Sequence, residues 1–226
     1  YRSAHILDAA TITQDAHQHG ALIVWDLAHT TGAVPFNASE LDIDFAVGCG
    51  YKYLNGGPGA PAFIYVAPRL LESASQPLQG WWGHALPFEF ELAYRPADGI
   101  SRFLTGTANV LSMKSLEAAL EVFDSVPMSD IRAKNQSLTS FFVEIYDEFL
   151  AEQGFSLRSP RDAKNRGSHV ALGYADGKTL LETLTAQGIL ADFRPPDLIR
   201  VGFSALYNTH RDALELAKRL SPIDLL

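Results

Sequence analysis

The sequence predicts an α/β protein in two parts, a sheet with helices on both faces and then a small α+β domain. Two observations carry this. Residues 21–25 (ALIVW), 45–48 and 62–66 (AFIYV) are unbroken apolar runs of strand length, the pattern of strands covered on both sides rather than on one. Beyond residue 127 the order becomes long helix, strand, strand, helix, strand, helix, which suits helices on one face of a short sheet.

Taken in order, Asp8 is placed to cap a first helix through Ile12 and Ala16, which Gly20 would end because glycine readily takes the left-handed conformation. The strand at 21–25 follows, then those at 45–48 and 62–66. Residues 76–101 are rich in proline, glycine and aromatics and read as irregular. Thr107 is placed to cap a helix with Val110, Leu111, Leu116, Leu120 and Phe123 on one side. Pro127-Met128-Ser129 interrupts the pattern, so the boundary is drawn between a first domain at 1–126 and a second at 127–226. A long helix through Leu138, Phe141, Phe142, Ile145 and Phe149 closes at Gly154. Strands at 155–158, 168–173 and 198–203 and helices at 178–187 and 210–220 complete the second part.

The chain has 226 residues and a net charge of −8, with no lysine or arginine run. Nothing in it would neutralise a nucleic-acid backbone or hold an anionic membrane. No apolar stretch reaches the roughly 18 residues of a membrane span. Its single cysteine, Cys49, rules out an internal disulfide and suits a reducing cytoplasm. The histidines show no metal-ligand spacing; His17-Gln18-His19 reads as a solvated helix end, and His84 stands out only for its place in the irregular stretch. The chain opens on Tyr1-Arg2-Ser3 without a methionine and reads as part of something longer.

Two motifs carry chemistry, and each lies just past the carboxyl end of an expected strand, where open α/β sheets bind ligands. The first is Trp25-Asp26-Leu27-Ala28-His29. An acid ending a hydrophobic strand is costly to bury without a cationic partner, and a protonated pyridine nitrogen is one such partner. The second is Tyr51-Lys52-Tyr53-Leu54-Asn55-Gly56-Gly57-Pro58-Gly59. Partial burial of Lys52 would lower its pKa and make the amine nucleophilic, and the glycines would let backbone approach a bulky group. The competing readings are ordinary: a turn-forming Asp, a solvated Lys and a plain glycine turn.

Together, WDLAH and GCGYKYLNGGPGAPAFIYV resemble the cofactor-binding region of kynureninases, fold type I pyridoxal-phosphate enzymes of the class V aminotransferase superfamily. The resemblance continues through Trp81-Trp82-Gly83-His84 and Ile199-Arg200-Val201. It implies part of the large, mostly parallel cofactor domain plus a small carboxy-terminal domain, with the amino-terminal part missing. That missing part would supply most of the phosphate cup and the aromatic ring that stacks on the cofactor. The resemblance makes Lys52 the lysine that carries pyridoxal 5′-phosphate as a Schiff base and pairs Asp26 with the pyridine nitrogen. It sets His29 and Tyr51 beside the cofactor, with Tyr51 at the phosphate and also a proton donor. Trp81 and Thr107 would reach the site from the partner subunit of a homodimer, and Arg200 would grip the substrate carboxylate.

Each role has its alternative. His29 reads equally as a core histidine, Trp82 stands beside Trp81, Thr107 could be only a cap, and Arg200 could pair with Asp192 or Asp197. The implied activity is hydrolysis of L-kynurenine or 3-hydroxykynurenine to anthranilate or 3-hydroxyanthranilate and L-alanine, a step of tryptophan catabolism. Another class V aminotransferase or lyase, or an inactive fragment, are the rival readings. Cys49 lies three residues before Lys52 at the end of a buried strand, which argues against a desulfurase nucleophile.

Overall fold

The structure is a computed structural model and describes residues 1–221. It divides into two compact units, one formed by Ala9–Ala28 and Asn37–Val122, the other by Tyr1–Asp8, His29–Phe36 and the chain from Phe123 onward.

In the first unit a three-stranded sheet has the order β1 (Val24–Asp26), β2 (Phe45–Cys49), β3 (Ala62–Val66), with β1 parallel and β3 antiparallel to β2. Helix α1 (Ala9–Gln18) is tied to it by polar contacts. The Trp25 indole donates to the Thr13 hydroxyl at 3.0 Å, and His17 meets the buried Asp44 carboxylate at 3.0 Å. His17 is thus a structural ligand of Asp44 rather than a solvated helix end. Asp44 also accepts from the Ile23 amide at 2.7 Å and pairs with Arg69 at 2.8 Å. Burial raises its pKa, but the Ile23 amide, His17 and Arg69 together hold it below the usual carboxylate range.

The expected strand at 21–25 is shortened to Val24–Asp26, and it is not covered on both sides. Leu22 and Val24 are 63% and 61% exposed, and the cross-strand row Asp26, Val47, Ile64 faces outward. Apolar side chains there have only one layer behind them among the described residues, and that layer reaches the opposite face.

Helix α2 (Val110–Leu120) forms as expected, but its cap is Asn109, whose Oδ1 accepts from the Ser112 amide at 3.2 Å. Thr107 is exposed two residues earlier and does not cap. The amide side chain sits at the N-cap position itself, so it reaches the free N–H groups that Thr107 cannot. The apolar positions Val110 and Leu111 are also exposed, while Ser115 on the same helix donates to the Gly56 carbonyl at 2.7 Å.

The second unit builds a four-stranded antiparallel sheet of order β4 (Ser156–Leu157), β5 (His169–Gly173), β7 (Leu198–Gly202), β6 (Asp192–Arg194). Helices α3 (Met128–Ile145), α4 (Gly177–Ala186) and α5 (His210–Leu220) bury one face of it. Phe142, Leu138, Val170, Leu172, Leu184, Ile199 and Val201 form that core. The long helix ends through a widened turn, Tyr146–Leu150, and stops at Gly154 with φ +87.

Strand β6 has no counterpart in the sequence reading, because Asp192-Phe193-Arg194 is short, polar and at the sheet edge, where strands lose their apolar signature. A capping box opens α5: the Thr209 hydroxyl accepts from the Asp212 amide at 3.3 Å while Asp212 accepts from the Thr209 amide at 2.8 Å. Thr209→Ala is expected to lower the unfolding free energy by about 1 kcal/mol, read as a shift in urea midpoint with unchanged slope.

Candidate active site

Because β1 and β2 are parallel neighbours, their carboxyl ends lie at the same edge of the sheet, and so do the two motifs that follow them. Asp26 ends β1. It is exposed rather than buried, so the desolvation expected from sequence does not arise; its Oδ1 instead accepts from the Ala28 amide at 2.8 Å, an Asx turn. The cationic partner is therefore not required by burial, while a second carboxylate oxygen remains at the strand end.

Cys49 closes β2, and its thiol lies 3.9 Å from the Ala28 carbonyl, a weak packing contact. Lys52 sits in the turn that follows, half-buried, with Nζ 5.5 Å from the Tyr51 ring centre, and the phenol is itself about half exposed. Among the described residues no carboxylate pairs with the Lys52 amine.

The glycine turn is shaped by its own packing. The Gly56 amide donates to the Gly50 carbonyl at 2.9 Å, and a Cβ on Gly56 would lie 2.8 Å from that of Ala60. A side chain there would force the turn open and move Lys52 with it.

The Trp81 and Thr107 segments are adjacent. The Trp82 amide donates to the Thr105 carbonyl at 3.2 Å, and a Cβ on Gly80 would meet that oxygen at 2.0 Å. Trp81 and Trp82 are both partly exposed and pack edge-on with Phe88. His84 is buried with both ring nitrogens engaged, Nδ1 accepting from the Leu86 amide and Nε2 against the Ala93 carbonyl, so its role is structural.

His29 and Arg200 belong to the other unit. Strand alternation puts Val170, Leu172, Ile199 and Val201 in the core and sends His169, Ala171 and Arg200 to the opposite face, where residues 1–8 and the loop at 29–36 are laid down. On that face Arg200 is largely buried. It pairs with Asp192, its direct cross-strand neighbour on β6, and donates to the Tyr1 carbonyl at 2.6 Å. The ion pair with Asp192, the alternative open from sequence, is present here.

His169, which the sequence offered only as one histidine among several, lies against His29 with ring centres 5.9 Å apart. Only its alternation with Val170 could have marked it as facing away from the core. Its pKa is pushed down to about 4, chiefly by burial and then by Arg200 and His29. The imidazole is therefore neutral in the fold and charged in the unfolded chain below about pH 6.5. The unfolded state then binds the extra proton, so stability rises from pH 4 to 6.5 and is level above. Between pH 7.5 and 4.5 the protein should lose about 2 kcal/mol, a loss that a His169→Gln variant would not show in urea titrations at the two pH values.

The chain is similar to known proteins along its length. Residues 131–220 match the family described as the kynureninase C-terminal domain. A kynureninase of Pseudomonas fluorescens is 39% identical over 223 residues, covering 99% of this chain and 54% of that protein. The chain carries the kynureninase C-terminal domain and is similar to kynureninases along nearly its whole length. A kynureninase of Deinococcus radiodurans is 45% identical over 212 residues, covering 94% of this chain and 52% of its own length. The chain thus spans about half the length of the curated kynureninases it matches.

Among solved structures, a cystine C-S lyase superposes with TM-score 0.85 at 18% identity over 98% of this chain and 58% of that one. The cysteine desulfurase of Thermococcus onnurineus gives 0.81 at 18% identity over 95% and 55%. These likenesses show the fold alone, part of the fold type I architecture. Among the described residues no helix is long and apolar enough to cross a membrane, and no three His, Cys, Asp or Glu side chains are grouped to hold a metal ion.

Proposed function

We propose that the protein takes part in the hydrolysis of L-kynurenine, or 3-hydroxykynurenine, to anthranilate, or 3-hydroxyanthranilate, and L-alanine, with pyridoxal 5′-phosphate as cofactor. The observation that carries this reading is the similarity to kynureninases at 39% and 45% identity over 223 and 212 residues, stretches long enough to span both strand-end motifs. The donor set fits the cofactor: the Asp26 carboxylate ends one of two neighbouring parallel strands, and the Lys52 amine, without an ion-pair partner among the described residues, follows the other beside a phenol. We read residues 1–126 as part of the large cofactor domain and 127–226 as the small domain.

Pyridoxal phosphate, when bound, supplies an electron sink for negative charge developing beside the substrate amine. Asp26 would hold its ring nitrogen protonated, Lys52 would attach it, and His29 and Tyr51 would lie alongside, the phenol donating to phosphate. With its amine free, Lys52 would be the base that moves the proton at the substrate Cα. In the hydrolysis of the Cβ–Cγ bond, the Tyr51 phenol would supply the proton that the β-carbon takes up. Arg200 would orient the α-carboxylate through two parallel hydrogen bonds, a role in which the substrate competes with Asp192 for the guanidinium. Trp81 and Thr107 would complete the site of a partner subunit in a homodimer. In this reading the enzyme serves tryptophan breakdown in the cytoplasm, with neither nucleic acid nor membrane as a partner.

The test supplies the protein with pyridoxal phosphate and, in parallel reactions, L-kynurenine, L-cysteine, or L-alanine with a 2-oxoacid. Growth of anthranilate fluorescence with equimolar alanine is the expected result. Sulfide from cysteine, or amino transfer to the oxoacid, without anthranilate would replace this reading by a desulfurase or aminotransferase.

A further inference from the structure

The polar face of the second sheet holds two buried nitrogen atoms that are both without a hydrogen-bond partner among the described residues: Nε2 of His169 and Nε of Arg200. Their chemistry is complementary. Arg200 Nε always carries a proton and can only donate. The Arg2 backbone faces the His169 ring as a hydrogen-bond partner, and with Nδ1 as its donor Nε2 is a bare lone pair able only to accept.

The register brings the two together. Arg200 on β7 stands directly opposite Ala171 on β5, and His169 is two residues from Ala171 on the same side, so His169 and Arg200 are diagonal neighbours on one face. Such pairs are within reach of long side chains. A buried donor and a buried acceptor left unmatched side by side each forfeit the water they had in the unfolded chain. The guanidinium is already anchored at Nη2 by Asp192 and at Nη1 by the Tyr1 carbonyl, so Nε is the part of it whose direction is still open.

We propose that His169 is a positioning residue for Arg200, its Nε2 accepting from the arginine Nε–H and fixing the plane in which the guanidinium presents its outer nitrogens. Neutral histidine suits this task where a carboxylate would not: it orients the arginine without competing as an anion for the groups that bind one. The consequence for catalysis rests on the reading of Arg200 as the holder of a substrate carboxylate; the pairing itself does not.

The experiment therefore has two arms. Nitrogen-15 NMR of the whole chain, with Arg200→Lys used to assign the Arg200 Nε–H signal, follows that signal in wild type, His169→Gln and His169→Leu. It also reads which His169 nitrogen is protonated. Circular dichroism confirms that the variants fold, and the glutamine variant, whose carbonyl can still accept, serves if leucine does not. The Nε–H signal is expected to move toward that of an unbonded arginine in His169→Leu and to be largely kept in His169→Gln. In the cofactor-loaded enzyme the leucine variant should raise KM for the amino-acid substrate about tenfold with kcat within about twofold, and glutamine should restore most of it.

An Nε–H signal indifferent to both substitutions, or His169 Nε2 accepting from His29 instead, overturns the proposal. A moved signal with unchanged KM keeps the pairing and overturns its consequence for substrate binding.

Discussion

Lys52→Ala is expected to abolish the yellow absorbance band that forms when the wild-type protein is mixed with pyridoxal phosphate, and with it all protein-bound colour after borohydride reduction. The effect should be complete because covalent attachment needs an amine at that place. Lys52 is held in a tight turn closed by the Lys52 carbonyl accepting from the Asn55 amide at 3.0 Å. Its amine is half-buried, stands beside the Tyr51 ring and meets no carboxylate among the described residues. An exposed alanine in that turn leaves the glycine packing of 50–60 untouched, so the variant should fold as the wild type does. Circular dichroism and the urea midpoint check this. Persistence of a reducible band in the variant would move the attachment to another lysine and with it the site.

Phe142→Ala should have the largest effect on stability, a loss of about 4 kcal/mol. The ring is wholly buried in α3, packs against Phe203 with centres 5.5 Å apart, and stands in the cluster that joins the helix layer to β5 and β7. Removing it forfeits both the transfer of the ring out of water and its contacts in a cavity whose walls belong to regular elements that cannot easily close in. With a total of only about 5–15 kcal/mol for a typical domain, such a loss should leave a substantial unfolded fraction well below the wild-type midpoint. A urea midpoint within error of wild type would mean the cluster does not carry the unit's stability.

Much was legible in the residues alone. The run from 198 to 203 appears as β7, and the helix at 210–220 appears as α5, because their apolar patterns are local properties. The strand-end positions of Asp26 and Lys52 were legible for the same reason: each motif follows directly on an apolar run. The resemblance to kynureninases was legible as well, since WDLAH and YKYLNGGPG are matters of covalent order.

Other features depended on which segments meet in space. Whether an apolar run such as 21–25 is buried depends on layers supplied from elsewhere, and Leu22 and Val24 show that the run alone does not decide it. That Asn109 rather than Thr107 caps α2 depended on where the first helical turn begins, a matter of one or two residues. Edge strand β6 has too little apolar content to announce itself, yet it brings Asp192 opposite Arg200.

The partnership of His169, His29 and Arg200 was the least accessible from sequence. These residues are as much as 171 positions apart, from His29 to Arg200. Their meeting depends on strand register, in which a shift of one residue would have sent His169 into the core and Val170 to the polar face. The sequence thus determined which chemical groups the protein owns and on which elements they ride. The tertiary structure decided which of them face one another, because pairing across strands and loops is fixed by packing energies summed over the whole unit and not by any stretch of chain.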